Sequence, residues 1–370
     1  MSGNYLIDGH KLHFHPQRVA QLLDAENDIS KLQTIYPIYV EISPVGACNH
    51  RCKFCAVDYI GYQTANKLDT ETIKTVISEM AQKGVKSIMF AGEGEPLLHK
   101  KIGEIVQHTK SSGIDASFTT NAVPMNDKFI EQAIPYTSWI KASVNAGTEE
   151  SYAQIHATQA RDFKIVINNL KRAVEFRNKH QHECVIGLQA VLLPDNKNDM
   201  LTLAKIARDE IGADYLVIKP YSQEPASITT EYKDISYESD FNESLKEQLQ
   251  QLNTDKFKVN YRSETMALYH EKQENRYSTC YSTPILMSYI MANGSVYGCK
   301  DHLFDEKFKY GNINETAFST IWEGEKRQQN LHYVLNDLDV NKCRVNCRLD
   351  KVNRFLFDLK KDKIQHVNFI

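Results

Sequence analysis

Between residues 36 and 223 the chain alternates short apolar runs with longer segments of helical spacing. The segments predicted to be strands are 36–43, 86–91, 116–120, 139–144, 184–193 and 215–220. The segments predicted to be helices are 69–83, 100–111, 127–133, 162–178 and 200–210. Strands that alternate with helices are typical of parallel βα units with right-handed crossovers. Six such units are too few for a closed eight-unit barrel, so we predict an α/β fold with an open, partial (β/α)6 barrel.

After residue 223 the alternation stops. The polar stretch 222–240 is predicted to be a loop, 242–252 a helix and 256–262 a strand. The predicted domains are 1–35 (N-terminal extension), 36–240 (partial barrel) and 241–370 (linker helix and small α/β domain). In parallel sheets of this kind the chemistry lies at the carboxyl ends of the strands. Candidate site residues are therefore expected at those ends.

The charge and the cysteine content restrict the class of protein. The net charge of −3 over 370 residues argues against a dedicated nucleic-acid binder. No apolar run approaches the roughly 20 residues of a membrane span, and the N-terminus lacks a signal-peptide core. We therefore predict a cytoplasmic protein with neither nucleic acid nor membrane as a partner. In such a protein, clustered cysteines are better explained as metal ligands than as disulfides.

The first cysteine cluster directly follows the first predicted strand. Cys48, Cys52 and Cys55 have the spacing C-x3-C-x2-C. Three thiolates on one short loop suit one face of a 4Fe–4S cluster and leave the fourth iron open to a small molecule. A zinc loop with His50 as the fourth ligand is the alternative.

With Phe54 before its last cysteine, this loop resembles the C-x3-C-x-aromatic-C motif of the radical S-adenosylmethionine (radical SAM) superfamily. The resemblance covers most of residues 36–223. It implies a 4Fe–4S cluster that binds S-adenosylmethionine, with Phe54 near the adenine. Gly92-Glu-Gly-Glu95-Pro, at the end of the second strand, resembles the family's segment for the methionine amino group. Gly92 and Gly94 allow close backbone approach and Glu95 can accept from an ammonium, although an ordinary turn is the alternative.

Two further strand ends carry short polar side chains. Thr120 and Asn121 end the third strand, and Ser143 and Asn145 end the fourth. Both pairs resemble family positions that contact the ribose and the methionine carboxylate. Turn formation is the alternative, because Asn and Ser favour turns in any case. All these motifs fall at carboxyl ends of strands, as the barrel rule requires.

A second set of cysteines follows in the last quarter. Cys280, Cys299, Cys343 and Cys347 begin with the spacing C-x13-G-x4-C. They resemble the auxiliary-cluster domains called twitch or SPASM, and their number fits the twitch form, with one extra 4Fe–4S cluster. The last pair is C-x3-C where C-x2-C is commoner, and a zinc ribbon is the alternative. If all four ligate, we expect this cluster to relay an electron. A flavodoxin- or ferredoxin-type donor is the implied partner.

Four residues are candidates for contact with the substrate. Lys219 ends the sixth strand and is predicted to act as a base or to bind an anionic group. Gln189 lies on the fifth strand and is expected to line the cavity, and His302 follows Cys299 closely. Cys184 is a candidate hydrogen-atom donor, although burial in the core is the favoured interpretation. For the other three, a structural or solvated role is the alternative.

Three functions are compatible with these motifs. The first is oxidation of a sugar, aminocyclitol or nucleotide-sugar, and the second is cross-linking or epimerisation of a ribosomal peptide. The 35 residues before the barrel are expected to be too few for a leader-binding domain, which favours a small-molecule substrate. The third is a non-catalytic zinc or iron–sulfur protein, which would have no use for the segment 92–96.

Overall fold

The computed structural model describes residues 10–235, 237, 239–267, 276–344, 347–360 and 366. Within them, ten strands form one sheet: β1 Tyr39–Ile42, β2 Ser87–Phe90, β3 Asp115–Thr120, β4 Thr137–Ser143, β5 Val185–Leu192, β6 Tyr215–Pro220, β7 Lys258–Tyr261, β8 Met287–Ile290, β9 Ser295–Tyr297 and β10 Lys309–Asn312. Their order in the sheet is β10-β9-β8-β1-β2-β3-β4-β5-β6-β7.

The strands from β1 to β7 pair in parallel with their neighbours, and β8 pairs in parallel with the free side of β1. Among the ten described strands, the pairs β8–β9 and β9–β10 are antiparallel. The predicted α/β fold and its six strands are confirmed. The sheet extends further, because β7 continues it beyond β6 and β8 returns to its other edge. The domain limits stay predictions, since one sheet runs across the limit at 240.

Fourteen α-helices lie in the described residues: α1 Pro16–Ala25, α2 Ile29–Leu32, α3 Thr70–Gln82, α4 Ile102–Ser111, α5 Asp127–Ala133, α6 Glu149–His156, α7 Arg161–His180, α8 Met200–Lys205, α9 Ser239–Gln250, α10 Ser263–Ala267, α11 Thr283–Leu286, α12 Phe318–Trp322, α13 Glu325–Asn336 and α14 Asp350–Leu359. None of them is long and apolar enough to cross a membrane. All the predicted helices are present, although the one predicted at 200–210 consists of α8 followed by a π-helical turn over Ile206–Ile211. Helices α1, α2, α6 and α10 to α14 were not predicted.

Alternation along the strands separates a helix-covered face from a polar face. Val40 and Ile42 are buried in the main hydrophobic core with residues of α3, whereas Glu41 between them faces the opposite side. α3 begins where the Asp69 carboxylate accepts hydrogen bonds from the backbone of Glu71 and Thr72. This pattern turns the polar face of the sheet into the inner wall of the barrel.

The segment from Leu12 to Ile35 packs on the C-terminal helices. Leu22 and Leu32 share a buried cluster with residues of α11, α13 and α14. The fully buried guanidinium of Arg327 donates to the backbone carbonyls of Leu32, Gln33 and Ile35. The N-terminal extension therefore closes a second, smaller core together with the C-terminal region.

Candidate active site

A cavity of about 250 Å³ lies at the carboxyl ends of the parallel strands. The cysteine loop after β1 contributes Cys48 and Cys52 to its wall. Residues from β4, β5 and β6, and others that adjoin the second cysteine set, line it as well. The motifs predicted at separate strand ends thus meet around one cavity.

The three cysteines of the first loop are free thiols. Burial raises the pKa of Cys48 to about 12. Burial, and then the neighbouring Cys55 and Cys48, raise the pKa of Cys52. Three adjacent thiols with little water around them cannot all ionise unless a cation compensates their charge. This donor set therefore fits an iron–sulfur cluster.

A neutral imidazole that the sequence did not reveal lies behind this loop. His156, the last residue of α6, has Nδ1 3.2 Å from Sγ of Cys52 and Nε2 2.8 Å from the carbonyl oxygen of Val144. Burial lowers the pKa of His156 to about 3. Phe54 packs edge-on against it, with ring centroids 5.6 Å apart. His156 thus positions both a cysteine and the aromatic residue of the motif.

Ligand atoms of His50, Cys52 and His156 all lie within 4.8 Å of one another, the arrangement that the zinc alternative needs. Both ring nitrogens of His50 are buried without a hydrogen bond, and Nε2 lies 3.6 Å from Oδ2 of Asp162. Nε2 of His156 is directed at the carbonyl oxygen of Val144, which leaves Nδ1 as the ring nitrogen that faces Cys52. The cavity is lined by both histidines and by Cys48 and Cys52, whereas Cys55 is not among its lining residues.

The glycine-rich segment after β2 lies directly against the cysteine loop. Gly94 has no room for a side chain, because a Cβ would lie 2.3 Å from the carbonyl oxygen of Val45 and 2.4 Å from that of Ala47. Gly92 has φ +112°, a conformation that favours glycine. The backbone N–H of Glu95 donates to the carbonyl of Ala47 at 2.8 Å. These contacts fix the segment 92–95 beside the cysteines.

The carboxylate of Glu95 is buried and receives three hydrogen bonds. The donors are the backbone N–H of Leu97 at 3.0 Å, the hydroxyl of Thr120 at 2.6 Å and the backbone N–H of Asn121 at 2.7 Å. Burial raises the pKa of Glu95 to about 7, although these hydrogen bonds oppose the shift. An ammonium group bound here would replace the proton. The amide of Asn121 also donates to Asn49 of the cysteine loop at 2.8 Å.

Ser143 and Asn145 have different environments. Ser143 lines the cavity next to Gln189, its partner in the β4–β5 register. Asn145 is fully buried at φ +55° and is not among the lining residues. Its Oδ1 accepts from the backbone of Val191 at 2.7 Å, and its Nδ2 donates to the hydroxyl of Ser143 at 2.8 Å. Asn145 therefore orients Ser143 and the end of β5.

The second cysteine set also comes together. Burial and then Asp301, Cys347 and Cys280 raise the pKa of Cys299. The pKa of Cys343 is raised to about 11 by burial and by Cys280. Four free thiols that influence one another suit one metal site. An iron–sulfur cluster and a zinc ion are both compatible with these donors.

The second set adjoins the same cavity. Lys300, next to Cys299, and Arg348, next to Cys347, both line it. Both pair with Glu41 in the centre of β1; the Nζ of Lys300 lies 3.0 Å from Oε1, and Arg348 bonds to Oε2. Burial alone would raise the pKa of Glu41, but these two cations lower it to about 2. Glu41 thereby ties the auxiliary region to the wall of the barrel.

Glu41 and Lys141 were not singled out in the sequence. Each is a charged residue between apolar neighbours in a short strand, Val40-Glu41-Ile42 and Ile140-Lys141-Ala142. The apolar neighbours point to the helices, so the charges must face the barrel interior. That pattern would have identified both as residues of the inner wall.

The four predicted substrate-contact residues divide into two pairs. Lys219 and Gln189 line the cavity. Cys184 is buried just before β5, at the end of the strand opposite to the cavity, with Sγ near the backbone of its own strand. His302 stacks on Phe308 with ring centroids 4.0 Å apart and is not among the lining residues. The structure thus gives Cys184 and His302 packing positions.

Comparison with known proteins agrees with this site. The model of the radical SAM superfamily matches residues 42–207 and includes the first cysteine loop. The model of the SPASM iron–sulfur cluster-binding domain matches residues 280–348 and includes the second set. The chain thus contains a radical SAM domain followed by a SPASM-type cluster-binding domain. The resemblance drawn from its motifs is confirmed, and so are the cofactors that the two domains imply, S-adenosylmethionine on a 4Fe–4S cluster and an auxiliary iron–sulfur site.

Relatives of this radical SAM protein act on different substrates. A nucleotide dehydratase of Lacinutrix mariniflava that depends on S-adenosylmethionine is 31% identical over 29% of this chain and 23% of its own length. The dTDP-4-amino-4,6-dideoxy-D-glucose ammonia-lyase of Streptomyces venezuelae is 24% identical over 47% of this chain and 37% of its own length. The chain thus matches less than half of either curated relative.

The fold also matches solved structures. Streptococcus suis SuiB, bound to its precursor peptide SuiA, has a TM-score of 0.61 at 18% identity, over 88% of this chain and 73% of SuiB. At this level of identity the likeness concerns the fold. The assignment of the first cluster and its cofactor to Cys48, Cys52, Cys55, Glu95 and Asn121 stays a prediction.

Proposed function

We propose that this radical SAM protein removes a hydrogen atom from a small polar substrate and oxidises it at a carbinol carbon, as on a sugar, aminocyclitol or nucleotide-sugar. The observation that carries the proposal is the position of one cavity between the two cysteine sets. Cys48 and Cys52 form one part of its wall, and Lys300 and Arg348, which adjoin the second set, form another. A substrate in this cavity would lie between the two clusters.

The two cofactors supply, when bound, a 5′-deoxyadenosyl radical and an electron acceptor. The protein's own residues bind the substrate and exclude water. Oxidation of a carbinol to a carbonyl removes one hydrogen atom, one proton and one electron from the substrate. The hydrogen atom would leave with the radical and the proton would go to a base in the cavity. The electron would go to the auxiliary cluster that the second cysteine set would hold, whose neighbours Lys300 and Arg348 line the cavity. This accounts for an auxiliary site beside the cavity.

Elimination is the second reaction class to consider, since the curated relatives are a dehydratase and an ammonia-lyase. Elimination from a substrate radical needs no net removal of electrons. The second cysteine set favours oxidation, because the iron–sulfur cluster that these four thiols would hold could accept the extracted electron.

Modification of a ribosomal peptide is the third candidate, and the shared fold with SuiB favours it. A contact between the two cysteine regions argues for a smaller substrate. Asp58, after the cysteine loop, accepts hydrogen bonds from the hydroxyl of Ser227 and the backbone of Thr229, both at 2.8 Å. Arg344, beside Cys343, donates to the carbonyl of Ser222 at 2.6 Å. The segment 222–229 thus joins the two cysteine regions across this side of the barrel.

The test begins with protein purified and reconstituted without oxygen. Iron per chain is counted, and 5′-deoxyadenosine is measured after addition of dithionite and S-adenosylmethionine. We expect about eight irons and formation of deoxyadenosine in the wild type and in Cys184→Ala, a matched cysteine outside both sets. Cys52→Ala should abolish cleavage. Deuterium transfer from labelled nucleotide-sugars, sugars and peptides then identifies the substrate class.

Zinc in place of iron, or iron without cleavage in wild type and Cys52→Ala alike, would overturn the enzymatic proposal and leave a metal-binding protein. Cleavage with deuterium transfer only from peptides would overturn the small-molecule substrate. A product with an unchanged oxidation state would assign the protein to elimination.

A further inference from the structure

We propose that Lys141 and Lys219 form a binding site for an anionic group of the substrate, either a phosphate, a diphosphate or a carboxylate. This inference rests on the proposed function, because it names the chemistry of the molecule that the cavity holds. It also separates the substrates left open above: a nucleotide-sugar or sugar phosphate fits, whereas a cationic aminocyclitol does not.

The two lysines extend from strands on either side of β5. In the β4–β5 register Lys141 is opposite Gly187, and in the β5–β6 register Lys219 is opposite Val191. The neighbours of Lys141 and Lys219 along their strands, Ile140 and Ile218, are buried in the main core. The lysines therefore face the inside of the barrel, and both line the cavity.

Neither lysine has an anionic partner in the part of the chain that the structure describes. There, no hydrogen bond or salt bridge involves either ammonium; Lys141 contacts only the ring of Trp139, with Nζ 5.4 Å from its centroid. Both side chains are half-buried, and an ammonium that loses water without gaining a partner is costly. Such a site is maintained where a ligand supplies the missing charge.

Both carboxylates that line the cavity already have partners within the chain. Glu41 pairs with Lys300 and Arg348, and Glu95 accepts three hydrogen bonds from its own chain. The lining residues comprise four cations, the two lysines with Lys300 and Arg348, and these two carboxylates. Because burial also favours the protonated form of Glu95, these side chains carry an excess of positive charge when the two lysines are protonated. An anion entering it would meet complementary charge.

The titration of the lysines agrees with this geometry. Burial, and then the charge of Arg348, lower the pKa of Lys141 to about 7, while Glu41 opposes the shift. Burial and then Lys141 lower the pKa of Lys219 well below its usual value. A bound anion would raise both pKa values. Anion binding is therefore expected to be accompanied by proton uptake near neutral pH.

Arg344, another charged residue near the lysine pair, already has anionic partners. Arg344 lies 3.4 Å from a carboxylate oxygen of Glu224 and 3.7 Å from one of Asp301. Gln189, on β5 between the two lysines, lines the cavity, and its side-chain amide has no hydrogen bond within the described residues. Its amide is available to a neutral hydroxyl. The lysine pair with Gln189 suits a molecule that carries both an anionic group and hydroxyls.

The test uses the reconstituted holoenzyme with S-adenosylmethionine bound, and inorganic pyrophosphate and phosphate as probes. Their binding is measured by titration calorimetry in wild type, Lys141→Gln, Lys219→Gln, Lys219→Arg and Lys164→Gln. Lys164 is an exposed lysine paired with Glu149 at 2.7 Å and serves as the matched control. We expect each cavity glutamine variant to weaken pyrophosphate binding about tenfold or more, which is typical for loss of a charged hydrogen bond. Lys219→Arg should retain most of the affinity.

The affinity for S-adenosylmethionine and the iron content are measured in every variant. They should be unchanged, which also shows that the variants fold. An equal loss of affinity for S-adenosylmethionine would overturn the proposal and assign the lysines to the cofactor's own carboxylate. Pyrophosphate binding that is absent in wild type, or unaffected in both glutamine variants, would overturn it as well.

The outcome is independent of the proposed reaction. If the wild type binds pyrophosphate through the lysines but fails to cleave S-adenosylmethionine, the proposed function fails while the anion site stands. If it cleaves the cofactor and transfers deuterium from a neutral or cationic substrate without binding pyrophosphate, the anion site fails alone.

Discussion

The ammonium of Lys300 lies 3.0 Å from Oε1 of Glu41, although 259 residues separate them in the chain. Glu41 is in the centre of the first barrel strand, and Lys300 directly follows Cys299 of the second cysteine set. Arg348, next to Cys347, bonds to the other oxygen of the same carboxylate. One buried carboxylate therefore joins two auxiliary cysteines to the barrel that holds the first cluster.

Replacement of this carboxylate tests the connection. Glu41→Gln keeps the shape of the side chain and leaves two cations without their partner. We expect the free energy of unfolding at pH 7 to fall by about 3 kcal/mol, as is typical when one partner of a buried ion pair is removed. Urea unfolding without oxygen provides the measurement. Glu104→Gln, an exposed carboxylate 3.7 Å from Lys101, is the control and should change stability little.

The same ion pair should depend on pH. The pKa of Glu41 is about 2 in the folded chain, below its ordinary value of 4.5. Its contribution is therefore complete above about pH 4.5 and is lost as the pH falls toward 2. The difference between wild type and Glu41→Gln should shrink over that range. A difference that stays constant down to pH 3 would contradict an ionic role.

Loss of the auxiliary cluster should leave cleavage of S-adenosylmethionine in place. In Cys343→Ala we expect about four fewer irons per chain, since one ligand of the auxiliary cluster is lost. Slow cleavage of S-adenosylmethionine should persist, because Cys48, Cys52 and Cys55 are intact, whereas oxidised product should not form. Iron analysis and product analysis measure the two effects. Loss of all iron in this variant would show that the two sites are not independent.

The glycine-rich segment should tolerate no side chain. In Gly94→Ala the new methyl group would lie 2.3 Å from the carbonyl oxygen of Val45, so the segment must move away from the cysteine loop. We expect deoxyadenosine formation to fall by about tenfold or more, since small displacements of positioning groups have large effects on rate. Gly113→Ala is the control, because it has φ +82° and open space around the new Cβ. It should cost about 1 kcal/mol of stability and leave cleavage unchanged.

Binding of S-adenosylmethionine should release a proton near pH 7. Burial raises the pKa of Glu95 to about 7, so half of the molecules carry the proton there before the ammonium binds. The affinity should rise as the pH increases from 6 to 8. Calorimetry in buffers with different ionisation enthalpies counts the released proton. In Glu95→Gln the affinity should be lower and this pH dependence should be absent; its persistence would assign the proton to another group.

The sequence alone provided most of the elements that surround the site. The six strands, the two cysteine sets and the segment 92–95 were all located from local patterns. Spacing along the chain is enough for these features, because ligands on one loop and the turn after one strand are formed by residues close in sequence. His156 was missed, since a single histidine in a short, unpredicted helix has no distinguishing pattern.

What the sequence by itself determined is therefore the chemistry that each strand end contributes. The tertiary structure decided which of these groups share the cavity. It added β8 beside β1, which brings Lys300 and Arg348 to Glu41, and it placed Cys184 at the opposite end of β5. It also directed Lys141 and Lys219 toward the same interior. These relations depend on packing between segments far apart in the chain, which no local periodicity encodes.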